Sequence, residues 1–338
     1  MKSILITSNN LTTVFQQIEE QLGGKLEIKS KEFRLEINND IATGCILGML
    51  VENAISYMEY DIIFKENVSL VKKIHNLDSI HFGYCSRGQV TQSFGEFNGH
   101  NKLSQFQTGI FSNSSTKNTF FKFKKNEEVK FSMITIDVLS VSDKELKKQL
   151  QNTFLINEEN NVFSYVGSFN LKIVERIEYL NTINQKGLIR NFLINSTVYH
   201  ILALEIEQHK YDLINAKAAS NSLTQSDMEA IKEVSELIRN YPEIQYSVRY
   251  LSKKSGLSPF KLQEGFKIMH NRTVTDFIRN IRIEAAENLI RTSELNISEI
   301  VYTIGLTSRS YFSKIFKAKY KCSPKYYQNK QNRLVITA

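Results

Sequence analysis

The stretch LSKKSGLSPFKLQEGFK, Leu251 to Lys267, recurs in outline as IVYTIGLTSRSYFSKIFK, Ile300 to Lys317. Each copy opens with an apolar-periodic segment that stops at Gly-Leu, at Gly256-Leu257 and Gly305-Leu306. A serine follows in the turn, and a second short segment then ends in Phe-Lys, at Phe266-Lys267 and Phe316-Lys317. Aligning the copies puts Leu262 on Phe312 and Phe266 on Phe316. These are apolar pairs at i,i+4 spacing, so they face a core from one side of a helix. Helix, glycine turn and a second helix with a single buried stripe is the pattern of a helix-turn-helix. The opposite face of each second helix is polar and basic, which suits entry into a DNA groove.

The flanking sequence supports one domain around this pair. A long amphipathic helix is expected from about Thr273 to Ser293, with Phe277, Ile281, Ala285 and Leu289 on one side, setting the separation of the two units. Ser258-Pro259 and Ser323-Pro324 each put a capping serine before a proline at the first helical position. Upstream, Ser226 to Glu229 reads as a capping box opening a further helix, and the polar stretch 209–225 reads as a linker. From Val141 the apolar period is about 3.6. Ser142 to Glu145 has capping-box form, and two longer apolar helices carry Phe169, Ile173, Val174, Ile177 and Leu180, then Leu188, Phe192, Tyr199, Leu202 and Ile206. Before that, Ile4 to Asp137 is a succession of short strands such as KLEIKSKEFRLEIN and KFSMITIDV. Such a run favours a barrel or sandwich over a parallel α/β sheet.

Charge separates the two ends. Residues 241–338 carry 17 basic against 7 acidic side chains, a net of +10, whereas residues 1–240 carry 26 against 28. A basic tail on a near-neutral body is expected where only the tail meets a polyanion. Cys45, Cys85 and Cys322 are odd in number and far apart, which suggests neither a disulfide framework nor a zinc cluster. The apolar run Ile41 to Met58 is broken by Glu52 and Asn53, so it is too short and polar for a membrane span. No charged-then-apolar leader opens the sequence, an expectation of cytoplasmic location. A cupin-like metal enzyme would need an H-x-H pair with a carboxylate and third histidine nearby. His75, His81 and His100 do not have that spacing, so no metal, cofactor or catalytic residue is assigned. The many phenylalanines, Phe82, Phe94, Phe97, Phe106, Phe111, Phe120, Phe121, Phe123 and Phe131 among them, fit either an apolar pocket or an ordinary core.

Over about its last hundred residues the sequence resembles the AraC/XylS family of bacterial transcription regulators. The resemblance rests on the doubled unit, on the central helix IRIEAAENLIRTSELNISEIVYTIGL with Arg282, Ala286, Leu289 and Ile290, and on SRSYFSKIFKAKYKCSP followed by Tyr326-Tyr327. The LQEGFK wording is similar to the siderophore-responsive branch, that of pyochelin-type regulators. Two departures stand out. Asn271 and Lys321 occupy positions where the family usually has glycine after each recognition helix, so positive φ is easy for the first and strained for the second. Glu264 stands where many members carry arginine; a carboxylate there suits a cytosine amino group better than guanine or phosphate. The resemblance implies DNA-contact positions at Phe260, Gln263, Glu264, Arg309, Ser310 and Lys314. Exposure on the helix faces adds Lys261, Lys267 and Lys317.

The expected fold is therefore α+β and multidomain. A β-rich, barrel or cupin-like effector-sensing domain over 1–140 precedes a helical dimerisation segment over 141–208 and a linker over 209–225. An all-α DNA-binding domain over 226–338 follows, with helix-turn-helix units at about 247–269 and 297–320. The expected function is a sequence-specific activator responding to a small molecule, an iron-siderophore by the family branch. Its expected partners are double-stranded promoter DNA, RNA polymerase, the effector and a second copy of the chain, with no membrane. The alternatives are a cupin-like metal enzyme and a ligand-independent DNA-binding protein.

Overall fold

The structure is a computed structural model describing residues 1–52, 54–73, 78–96, 100–115, 117–155, 161–215 and 223–335. His75 and Phe97, which figured in the sequence argument, lie outside the described residues. The chain divides into two compact units, Met1–Ser220 and Asn221–Ala338.

The first unit begins with β1 (Lys2–Ile6) and α1 (Leu11–Leu22). The strands β2 (Lys25–Lys29), β3 (Glu32–Asn38), β4 (Ala42–Glu52), β5 (Ile55–Phe64), β6 (Val68–Lys72) and β7 (Ser79–Arg87) follow. Next come β8 (Gln89–Phe94), β9 (Asn101–Ser104), β10 (Gln107–Asn113), β11 (Thr119–Phe123) and β12 (Glu128–Asp137). They form a five-stranded sheet, β1-β6-β11-β8-β9, and the main part of an eight-stranded one, β10-β7-β12-β5-β4-β3-β2. Period-two burial is clear in β3, where Phe33, Leu35 and Ile37 are buried and Arg34 and Glu36 are not. One apolar core draws on both sheets, including Ile4, Leu70 and Phe121 from the smaller and Leu35, Ile46, Tyr60 and Phe131 from the larger.

Helix α1 corrects the expectation of strands alone in this region. Its Leu11, Val14, Phe15, Ile18 and Leu22 form a buried stripe at helical spacing, and Asn10 caps it by accepting from the Thr13 N–H. Phe15 lies so close to the sheet that a Cβ on Gly48 of β4 would stand 2.3 Å from its ring. That position therefore needs glycine.

The segment read as wholly helical also contains a strand. After α2 (Lys144–Phe154), β13 (Val162–Phe169) pairs antiparallel with β10 and completes the larger sheet. It is an edge strand, mostly half-buried on both faces, so its burial lacks the alternation that reveals strands in sequence. The cap of α2 is Asp143, which accepts from the Glu145 and Leu146 N–H groups, rather than Ser142. Helices α3 (Leu171–Asn181) and α4 (Gly187–Asn215) complete the unit. Residues 209–215, which the sequence suggested as the start of the linker, are the last two turns of α4. They are held there by Asp212, which accepts from the Tyr165 hydroxyl at 2.5 Å and from the Ser168 N–H and hydroxyl at 2.8 Å each.

The described elements of the second unit are all helices: α5 (Gln225–Asn240), α6 (Val248–Ser255), α7 (Pro259–His270), α8 (Val274–Thr292), α9 (Ile297–Thr303), α10 (Arg309–Tyr320) and α11 (Pro324–Val335). Thr224, not Ser226, caps α5, in a reciprocal box with Asp227. Among the described residues, no helix is long and apolar enough to cross a membrane.

Candidate nucleic-acid interface

The second helices of the two repeated units, α7 and α10, are built alike from cap to cap. Ser258 and Ser308 each accept from the N–H three residues on, at 3.2 Å, and Pro259 takes the first helical position of α7. Each helix runs for 12 residues and stops on a left-handed residue, Asn271 at φ 56° and Lys321 at φ 61°. The matching closing bonds, Asn271 N–H to Lys267 O and Lys321 N–H to Lys317 O, are both 2.9 Å. Gly256 and Gly305, in the turns before them, have φ of 70° and 72°.

Both helices are seated by the buried stripes expected of them. Leu262, Phe266 and Met269 of α7 are buried, and Phe266 meets Phe277 of α8 edge-on at 5.3 Å. A Cβ on Gly265 would come within 1.9 Å of the Ile231 side chain, so α5 packs directly on the backbone of α7. Phe312, Ile315 and Phe316 of α10 join Ile283, Ala286 and Ile290 of α8, Ile300 and Val301 of α9 and the following Ile304 in a second cluster. Arg282, quoted above as part of the central-helix pattern, is buried. Its guanidinium donates to the carbonyls of Pro242 and Ile244 at 2.8 Å each, which fixes the chain entering α6.

The nine expected contact residues separate by placement. Phe260 is 71% exposed, and Lys267, Arg309, Ser310, Lys314 and Lys317 are also exposed. Lys261, Gln263 and Glu264 are half-buried. The Lys261 ammonium sits 2.6 Å from the Asp227 carboxylate on α5. Burial would raise the Asp227 carboxyl, but its bonds to Lys261 and Thr224 outweigh that and hold it below the usual aspartate value. Gln263 accepts from the Val274 N–H at 3.2 Å, satisfying the first turn of α8. Helical geometry alone put these side chains on the open face; neighbouring helices claim two of them. Arg309 stays exposed, but its guanidinium donates to the Ser298 hydroxyl of α9 at 3.0 Å, which aims it along the start of α10. Arg272, in the turn after α7, was not singled out from sequence; it is exposed beside Lys267 and Lys314 in a cleft.

Two capped helix-turn-helix units on one central helix, with basic outer faces, define a bipartite DNA-binding domain. Residues 251–330 match the family model described as a helix-turn-helix domain. The chain is similar to the regulatory protein SoxS of Escherichia coli K12, 31% identical over 84 residues, covering 25% of this chain and 78% of SoxS. It is also similar to histidine kinase P4 of Formosa agariphila, 33% identical over 120 residues, covering 34% of this chain and 9% of the kinase. A solved structure of ToxT from Vibrio cholerae matches over 82% of this chain and 98% of that one, with 15% identity and a TM-score of 0.30. The chain spans less than a third of the length of the first curated relatives it matches. It belongs to the AraC/XylS family of regulators.

Proposed function

We propose that the protein is a sequence-specific transcription regulator that binds promoter DNA through α7 and α10. The observation that carries this reading is the pair of like-capped helices with Phe260 and Lys267 on one outer face and Ser310, Lys314 and Lys317 on the other. Two such helices address successive major grooves about 34 Å apart. Arg309 pairs with guanine, the Phe260 ring touches a thymine methyl, and the lysines hold phosphates and set register. In the same reading the protein acts in the cytoplasm as an activator that recruits RNA polymerase.

The first unit serves as a sensor for a small molecule, an iron-siderophore by resemblance. A cleft of about 930 Å³ lies between the larger sheet and the turn from α3 into α4. Glu59 is 2% exposed in its wall and is held by the Tyr57 hydroxyl at 2.7 Å, the Asn181 amide at 3.1 Å and Lys130 at 3.4 Å. Arg190, at the start of α4, grips Glu32 across the cleft through two bonds of 2.6 and 2.7 Å. A ligand that opens this grip shifts the start of α4, the helix we assign to dimerisation, and so changes how paired DNA-binding units address their half-sites.

A genome-wide selection of DNA fragments by the purified full-length protein tests the reading. Recovered sites should share two short boxes about one helical turn apart, and the neighbouring genes should indicate the effector class. Recovery of fragments with no common motif, with or without an added iron-siderophore, would overturn it.

A further inference from the structure

Between the two reading helices lies a cleft of about 820 Å³, lined from α7 by Lys267, from the following turn by Arg272, from α8 by Asp276 and Arg279, and from α10 by Lys314 and Lys319. Its one lining carboxylate, Asp276, is already bound to Arg279 at 2.7 Å, and Lys319 is bound to Glu284 at 2.7 Å. Among the described residues, Lys267, Arg272 and Lys314 make no ion pair. Three cations without an ion-pair partner, from three separate elements, therefore line one open groove. They repel, so the fold gains nothing from the arrangement unless an anion fills it.

The cleft shares Lys267 and Lys314 with the exposed faces of the two helices. Lys267 stands two turns beyond Phe260 on α7, and Lys314 one turn beyond Ser310 on α10, so each lysine continues its helix's outer face. When α7 and α10 occupy successive major grooves, the stretch between them is a minor groove bordered by sugar-phosphate backbone. We propose that this cleft is a phosphate clamp, in which Arg272, with Lys267 and Lys314 on either side, holds the DNA backbone bordering that central minor groove. The proposal rests on the DNA-binding reading and adds Arg272 as a positioning residue. The left-handed Asn271 turns the chain out of α7 so that Arg272 projects beside the groove. A guanidinium grips a phosphate bidentately and reads no base, so Arg272 supplies affinity and register without sequence preference.

The test uses the full-length protein and a duplex carrying its selected site, with binding measured across a series of salt concentrations. The wild type gives a reference slope of log affinity against log salt. Arg272→Ala should lower that slope by up to about 0.9, the value for one lost phosphate contact, with sequence preference unchanged. Arg272→Lys should restore most of the slope, and Lys102→Ala in the first unit should not alter it. In a second arm, neutral methylphosphonates replace the phosphates bordering the central minor groove. The wild type should lose affinity on this duplex, and Arg272→Ala should lose no more than it already has. An unchanged slope in Arg272→Ala, or additive losses in the second arm, overturns the clamp while leaving the DNA-binding reading intact. A wild type that binds no duplex preferentially overturns that reading and the clamp with it. Losses that depend on the bases beside the cleft would make Arg272 a base reader, and the phosphate assignment would fall. Thermal melts matched to wild type confirm that the exposed turn tolerates the change.

Discussion

Lys321 ends α10 with φ at 61°, a conformation that costs a residue with a Cβ roughly 1–2 kcal/mol and costs glycine little. Lys321→Gly should therefore raise the stability of the second unit by about 1 kcal/mol, less the extra freedom glycine has when unfolded; a chemical denaturation midpoint reads this directly. Asn271, in the same role, leaves less to gain, since asparagine visits this region more readily. Lys72 is the residue-scale anomaly of the first unit. It shares a small cavity with Ile6, Met58, Tyr60, Leu70 and Phe121, and burial lowers its ammonium to about 8. Between pH 8 and the unfolded value near 10.4 the unfolded chain holds a proton that the folded chain has released, so stability rises with pH across that window. At pH 7 the folded state carries the full cost. Lys72→Met should remove it, gaining about 1–2 kcal/mol after allowance for the partly exposed side chain, and should flatten the rise between pH 8 and 9.5. Thermal melts of both proteins across that range provide the check. The buried tyrosines Tyr57, Tyr60 and Tyr84 are all raised by burial and oppose this trend only above pH 10.

At the scale of elements, α7 illustrates how a helix face is divided between fold and function. Phe260 and Lys267 point outward, whereas Lys261 is tied to α5 and Gln263 to the first turn of α8. Lys261→Ala should thus act on stability, lowering it by about 1 kcal/mol by leaving the buried Asp227 carboxylate without its ion pair, while the relative affinities for variant DNA sites stay as they were. Arg309→Ala should do the reverse. It should weaken specific binding by roughly 1–3 kcal/mol and relax one base position, with little change in melting temperature. Running both variants through the same site-selection and melting assays separates the two roles. Equal affinity of Arg309→Ala and wild type for every site variant would remove Arg309 from the contact set.

For the whole molecule, α4 carries the unpartnered apolar surface of the first unit. Leu188, Ile189 and Phe192 at its start are 63–68% exposed, while Ile194, Val198 and Ile201 on the other face are buried. A surface helix normally turns one apolar stripe inward and leaves polar residues outside. This second stripe is our basis for assigning α4 to a homodimer interface. Phe192→Asp should shift the protein toward monomer in sedimentation experiments and weaken binding to paired half-sites more than to a single site. Wild-type protein that sediments as a monomer at every accessible concentration would exclude the assignment.

The doubled helix-turn-helix was legible in sequence because its determinants are local. Capping serines, turn glycines and the Leu262/Phe266 and Phe312/Phe316 stripes all act within one or two helical turns, and the structure places them as their spacing implies. Helix α1 was as local in its pattern, but it lay hidden in a strand-rich neighbourhood, whereas β13 at the sheet edge had no alternation to read. The fate of Lys261 and Gln263 could not be local. Whether a polar side chain on an outer helix face meets solvent or a partner depends on which element packs alongside, here Asp227 of α5 and the start of α8. The same holds for the cationic cleft. Lys267, Arg272 and Lys314 lie up to 47 positions apart in the chain, and only the packing of α7 and α10 about α8 sets their charges across one groove.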